Sequence, residues 1–205
     1  MILYGRDLSP FVRRVAIWCA LQGREVERRK LMVSGEDFET LKTVNPVGRV
    51  PILQLEDGES LIETWAICDW LEDTAPATAR LVPADGVPRR AVLQEIAYAN
   101  GAAEKAVALV YDRQRRPEDL HWADWQARLE GQVAGGLQAM EAHCPEDGWL
   151  QGRDRPMGGD VAFVCAHDFI AAMHPQLLDG TCPKLTALAA RANAMPEFGA
   201  TKPEV

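Results

Sequence analysis

Every strand signal in the chain lies before Ala75, and after it apolar residues recur only at helical spacing. Few folds accept that division. It predicts a mixed α/β layer of about 75 residues followed by an all-helical region. Ile2-Leu3-Tyr4 is a short apolar strand, and Gly5 to Leu8 a polar loop. Ser9-Pro10 then starts a helix, with Ser9 as N-cap and Pro10 in the first helical position. Phe11 to Gln22 is apolar on almost every side except Arg13 and Arg14, which predicts a buried helix ended by Gly23. Val26 to Leu31 reads as a second strand at a sheet edge. Ser34 with Asp37 resembles a capping box ahead of a helix ending near Val44.

The breaker-rich loop Asn45-Pro46-Val47-Gly48-Arg49-Val50-Pro51 comes next. Pro51 to Leu55 and Ser60 to Ile62 flank Asp57-Gly58, the clearest hairpin signal in the sequence. Glu63 to Asp73 is a helix. The order is therefore strand–helix–strand, helix, strand–strand–helix.

Pro, Gly and Ala crowd the stretch from Ala75 to Pro88, as in a linker. Arg89 to Arg113 is a long helix. Trp122, Trp125, Leu129, Val133, Leu137 and Met140 step by three and four residues, so this stripe is expected in the helical core. Asp160 to Met173 is apolar on most faces and is expected at the bundle centre. Pro183 to Met195 is a helix stopped by Pro196. The expected domains are 1–76 and 88–205, joined by 77–87.

Composition narrows the function. The net charge of −8 argues against general nucleic-acid binding, which needs a basic surface. The five cysteines, at 19, 68, 144, 165 and 182, are odd in number and lack Cys-x-x-Cys spacing. They fit a reducing cytoplasm better than a disulfide framework. No basic segment precedes a long apolar stretch at the start, so no signal peptide is expected. The longest apolar segment, Val161 to Met173, contains His167 and Asp168 and is too short for a bilayer. The four histidines have no ligand spacing with the cysteines, so no metal is expected.

Two helix starts carry chemistry. A hydroxyl at Ser9 stands where backbone N–H groups are unpaired and the helix dipole is positive, a setting that favours an anion. It also suits a plain cap. Glu63-Thr64, between a strand and a helix, offers a carboxylate beside a second such N-terminus.

Four segments in this order resemble the glutathione S-transferase superfamily. They are Ser9-Pro10-Phe11-Val12-Arg13-Arg14-Val15, Asn45-Pro46-Val47-Gly48-Arg49-Val50-Pro51, Leu61-Ile62-Glu63-Thr64-Trp65-Ala66-Ile67, and the C-terminal set Pro183-Lys184-Leu185, Arg191, Pro196 and Phe198. The resemblance spans nearly the whole chain and is closest to the serine-type bacterial-like members. It departs at Thr64, where serine is commoner. It departs again at Met157, where the family has a Ser or Thr that caps the helix of Asp160, a change worth about 1 kcal/mol.

The resemblance implies an N-terminal thioredoxin-like domain (βαβ-α-ββα) and a C-terminal helical bundle. It implies glutathione as co-substrate without a metal, and a cytoplasmic homodimer acting in detoxification. Ser9 is the implied catalytic residue, with Tyr4 as a rival hydroxyl. A cis Pro51 frees the backbone of Val50 to pair with glutathione's cysteinyl part. Glu63 and Thr64 hold the γ-glutamyl ammonium and carboxylate, and Arg49 the glycyl carboxylate. Phe11 and Tyr111 are the expected contacts of a hydrophobic electrophile. Alternatives on the same thiolate site are an isomerase, a dehalogenase or a peroxidase. A non-catalytic binding protein is a third class.

Overall fold

A computed structural model describes residues 1–203. Residues Met1–Val82, together with the segment from Met195 onward, form one compact unit, and Pro83–Ala194 form a second. The sequence-expected boundaries lie at 76 and 88 and keep that last segment with the bundle.

The first unit holds β1 (Ile2–Tyr4), α1 (Pro10–Leu21), β2 (Glu27–Arg29), α2 (Glu36–Val44), β3 (Ile52–Gln54), β4 (Ser60–Ile62), α3 (Thr64–Asp73) and the short α8 (Pro196–Gly199). The sheet order is β2-β1-β3-β4. β1 and β2 run parallel, as their helical crossover requires, and the other two pairs are antiparallel. Tyr4 and Ile52 face each other in the ladder and pack with Leu41 of α2.

α1 is buried nearly all round because β1, α3 and α8 each cover part of it. Its Arg13 is fully buried. The guanidinium donates from Nε to Thr201 Oγ1 (3.4 Å) and from Nη2 to the Phe198 carbonyl (3.4 Å), which is how a charged residue survives there. Glu72 of α3 is another buried charge with partners. Its carboxylate accepts from Trp18 Nε1 (2.8 Å), Gln22 Nε2 (2.9 Å) and the Leu81 and Val82 N–H groups (3.0 and 2.9 Å).

α2 departs from the expected capping box. Gly35 (φ 67°) is its N-cap, and Asp37 turns back to accept from the Met32 N–H (2.9 Å).

The second unit holds α4 (Gly86–Arg115), α5 (Ala123–His143), α6 (Gly158–Met173) and α7 (Pro183–Asn193). α6 is buried from Gly158 to Ile170. Leu129, Val133, Leu137 and Met140 are buried as expected, but Trp122 and Trp125 are 64% and 39% exposed. Trp122 is the extended N-cap of α5, so helical spacing does not reach it. At α6, Asp160 accepts from the Met157 and Leu150 N–H groups (both 2.9 Å), so one half of the cap persists despite Met157. Among the described residues, no helix is long and apolar enough to cross a membrane.

Candidate functional site

Ser9 is the N-cap of α1 in extended conformation, and Pro10 presets the first turn. Its Oγ accepts from the Val12 N–H at 3.4 Å, a long bond that engages a lone pair and leaves the hydroxyl hydrogen for another partner. The loop ahead of it is tied to the β2 edge. The Gly5 N–H donates to the Arg29 carbonyl (2.9 Å), and Arg28 donates to the Asp7 carboxylate.

Gly5 was legible only as part of a loop, yet it joins two halves of the site. At φ 120°, a Cβ there would lie 2.5 Å from Val12 Cγ2 and 3.1 Å from Val50 Cβ. Only a glycine lets the first turn of α1 and Val50 approach so closely.

Val50 precedes a cis proline, Pro51, at the entrance to β3. Asn45, another residue without an assigned role in the sequence reading, organises this loop. It is buried, donates from Nδ2 to the Arg49 carbonyl (2.8 Å) and accepts at Oδ1 from the Val47 N–H (3.0 Å).

The third element is the step from β4 to α3. Glu63 has a left-handed backbone (φ 70°), an uncommon conformation for a residue with a Cβ, and its carbonyl accepts from the Ile67 N–H (3.0 Å). Thr64 opens α3 and is 7% exposed. Arg49 Nη1 lies 3.0 Å from Glu63 Oε1, so Arg49 and Glu63, 14 positions apart by number (63 − 49), meet in space.

Tyr4 is committed elsewhere. Its hydroxyl donates to Gln54 Oε1 (3.1 Å) and accepts from Arg29 Nη1 (3.1 Å), and its ring is buried in the sheet face toward α2. Phe11 is half-buried, with the Arg14 guanidinium 6.0 Å from its ring. Tyr111, in the second unit, is exposed under the Arg115 guanidinium. All five cysteines are buried and none forms a disulfide; burial pushes Cys19 up to about 11 and Cys144 up to about 12, so both are neutral thiols at physiological pH.

The chain as a whole is similar to known proteins. The family model described as the glutathione S-transferase N-terminal domain matches residues 3–79. The maleylacetoacetate isomerase of Pseudomonas aeruginosa is 30% identical over 208 residues, spanning 98% of this chain and 93% of that protein. A glutathione S-transferase from Methylobacterium radiotolerans, solved with glutathione sulfonate, superposes with a TM-score of 0.91 at 27% identity, covering 100% of this chain and 95% of that one. Another from Methylobacillus flagellatus, solved with glutathione bound, gives 0.90 at 26% identity, covering 99% of each chain. The matched N-terminal region contains Ser9, Val50-Pro51 and Glu63-Thr64, and the similarity runs the length of the chain: it belongs to the glutathione S-transferase family.

Proposed function

We propose that this protein binds glutathione through Ser9, Val50, Glu63 and Thr64 and transfers its thiolate to a hydrophobic electrophile. The observation that carries this is the meeting of the Ser9-capped helix and Val50 across Gly5. It supports one anion-favouring helix end beside one backbone segment able to pair with an extended peptide.

The Ser9 hydroxyl donates to the glutathione sulfur in this reading, and the helix dipole adds to the same effect. Lowering a thiol from about 8.5 to about 6.5 makes it mostly thiolate at pH 7, worth about 2.7 kcal/mol of differential stabilisation. The thiolate is then held for attack in a fixed orientation. Phe11, two positions beyond Ser9, is proposed to face the electrophile.

The protein is proposed to act as a cytoplasmic homodimer. The test is retention on immobilised glutathione, followed by conjugation of a chloronitroarene with loss of chloride. Retention without turnover of any electrophile points to a binding protein instead.

A second reading, isomerisation, is favoured by the similarity to a maleylacetoacetate isomerase. The same thiolate adds to a double bond and leaves again, so glutathione is not consumed. Turnover of a cis-enone with constant glutathione distinguishes it from conjugation.

A further inference from the structure

We propose that Arg49 and the α-ammonium of glutathione compete for the Glu63 carboxylate, so that Arg49 serves the γ-glutamyl end of the ligand rather than its glycyl end. This rests on the glutathione reading above.

Arg49 Nη1 stands 3.0 Å from Glu63 Oε1. Both side chains leave from constrained backbone. The Arg49 carbonyl is held by buried Asn45, and the cis Val50–Pro51 bond follows directly. Glu63 is locked in a left-handed conformation immediately before the first turn of α3. The pair therefore joins two fixed frames across the subsite that Glu63 and Thr64 define.

The two side chains are 61% and 43% exposed, so the pair is loose and exchangeable. The amino-acid end of glutathione carries a cation and an anion on one carbon. When its ammonium takes Glu63, the guanidinium is released beside the ligand's α-carboxylate. That carboxylate also meets the buried N-terminal turn at Thr64. Four charges then alternate in sign: Glu63, ammonium, carboxylate, Arg49. Arg49 also neutralises Glu63 when a ligand brings no ammonium, which sets how strictly the site demands an intact α-amino acid.

Calorimetric titration tests this with three ligands: glutathione, its glycine amide, and deamino-glutathione, in which a glutaryl group replaces γ-glutamyl. Arg49→Gln should weaken glutathione and the glycine amide by the same factor, about 3- to 10-fold. The penalty for removing the ammonium should grow about 2- to 5-fold in Arg49→Gln relative to wild type, the scale of an exposed ion pair. Glu63→Gln should lose that ammonium dependence, with or without Arg49. An Arg49→Gln effect that vanishes on the glycine amide assigns Arg49 to the glycyl carboxylate and overturns the proposal. An equal ammonium penalty in wild type and Arg49→Gln overturns it as well. Wild-type protein that binds none of the three overturns the glutathione reading itself.

Discussion

Gly159 lies so close to Glu95 that a β-carbon on the glycine would fall 1.9 Å from Glu95 Oε2. Glu95 cannot yield easily. It is buried, and its carboxylate is held by Arg153 at 3.1 and 3.2 Å and by Gln151. Gly159→Ala should therefore destabilise the protein by about 3 kcal/mol or more, through overpacking and disruption of a buried ion pair. Gly131→Ala, inside α5 with nothing within 4 Å of the new methyl, should stabilise by about 0.5–1 kcal/mol. Urea denaturation of both variants measures the contrast; equal effects would mean that Glu95 gives way.

Asp160 should make stability depend on pH. Burial pushes its carboxyl from the usual range up to about 6, against the pull of the Leu150 and Met157 N–H groups and Arg153, while Glu95 nearby adds to the rise. A raised carboxyl favours the protonated folded state. Its contribution is fully present below about pH 4 and is lost as the pH rises through about 6, roughly 3 kcal/mol over the window. Asp160→Asn removes the titration but turns its amide NH2 toward one of the two backbone N–H groups. The variant should be least competitive with wild type near pH 4, and the gap should narrow toward pH 7. A gap independent of pH would show that Asp160 ionises as freely folded as unfolded.

Ser9→Ala should lower the conjugation rate more than glutathione affinity, because in the proposed site the lost bond acts on the thiolate while the proposed Val50, Glu63 and Thr64 contacts remain. Some activity should survive on the helix dipole. The loss of fold stability should be small, toward the low end of about 0.5–2 kcal/mol, since the cap bond is 3.4 Å long. Ultraviolet absorbance of the bound thiolate against pH reads the effect directly. Coincident curves for wild type and Ser9→Ala would reduce Ser9 to a cap.

Thr64→Ala should weaken glutathione by about 0.5–1.5 kcal/mol, one net hydrogen bond, and Thr64→Ser should restore it. Calorimetry giving equal affinities for all three proteins would remove the hydroxyl from the site.

What the sequence disclosed was local. Ser9-Pro10, the Asp57-Gly58 hairpin and the buried α6 are written in neighbouring residues, and their positions in the fold agree. The residues of the proposed site were legible as segments, because each sits at a helix start or a breaker-rich loop. What stayed hidden depended on partners distant in sequence. Gly5 matters because Val50 folds over it, and Gly159 because Glu95 arrives from another helix. The Arg49–Glu63 pair has no signature in either segment alone. Asp37 had the spacing of a cap, but its carboxylate accepts from the Met32 N–H. Trp122 continued an apolar rhythm past the point where the helix begins.

The burial of Arg13 against Phe198 and Thr201 has a consequence for how the polypeptide matures. These two partners come 185 and 188 positions later in the chain. On a ribosome, β1, α1 and the hairpin emerge long before them. Until they arrive, the guanidinium lacks two of the acceptors it has in the folded chain, and α1 lacks the cover of α8. A fragment ending at Val82 lacks both acceptors permanently. The first unit is thus completed by residues translated after the whole of Pro83–Ala194.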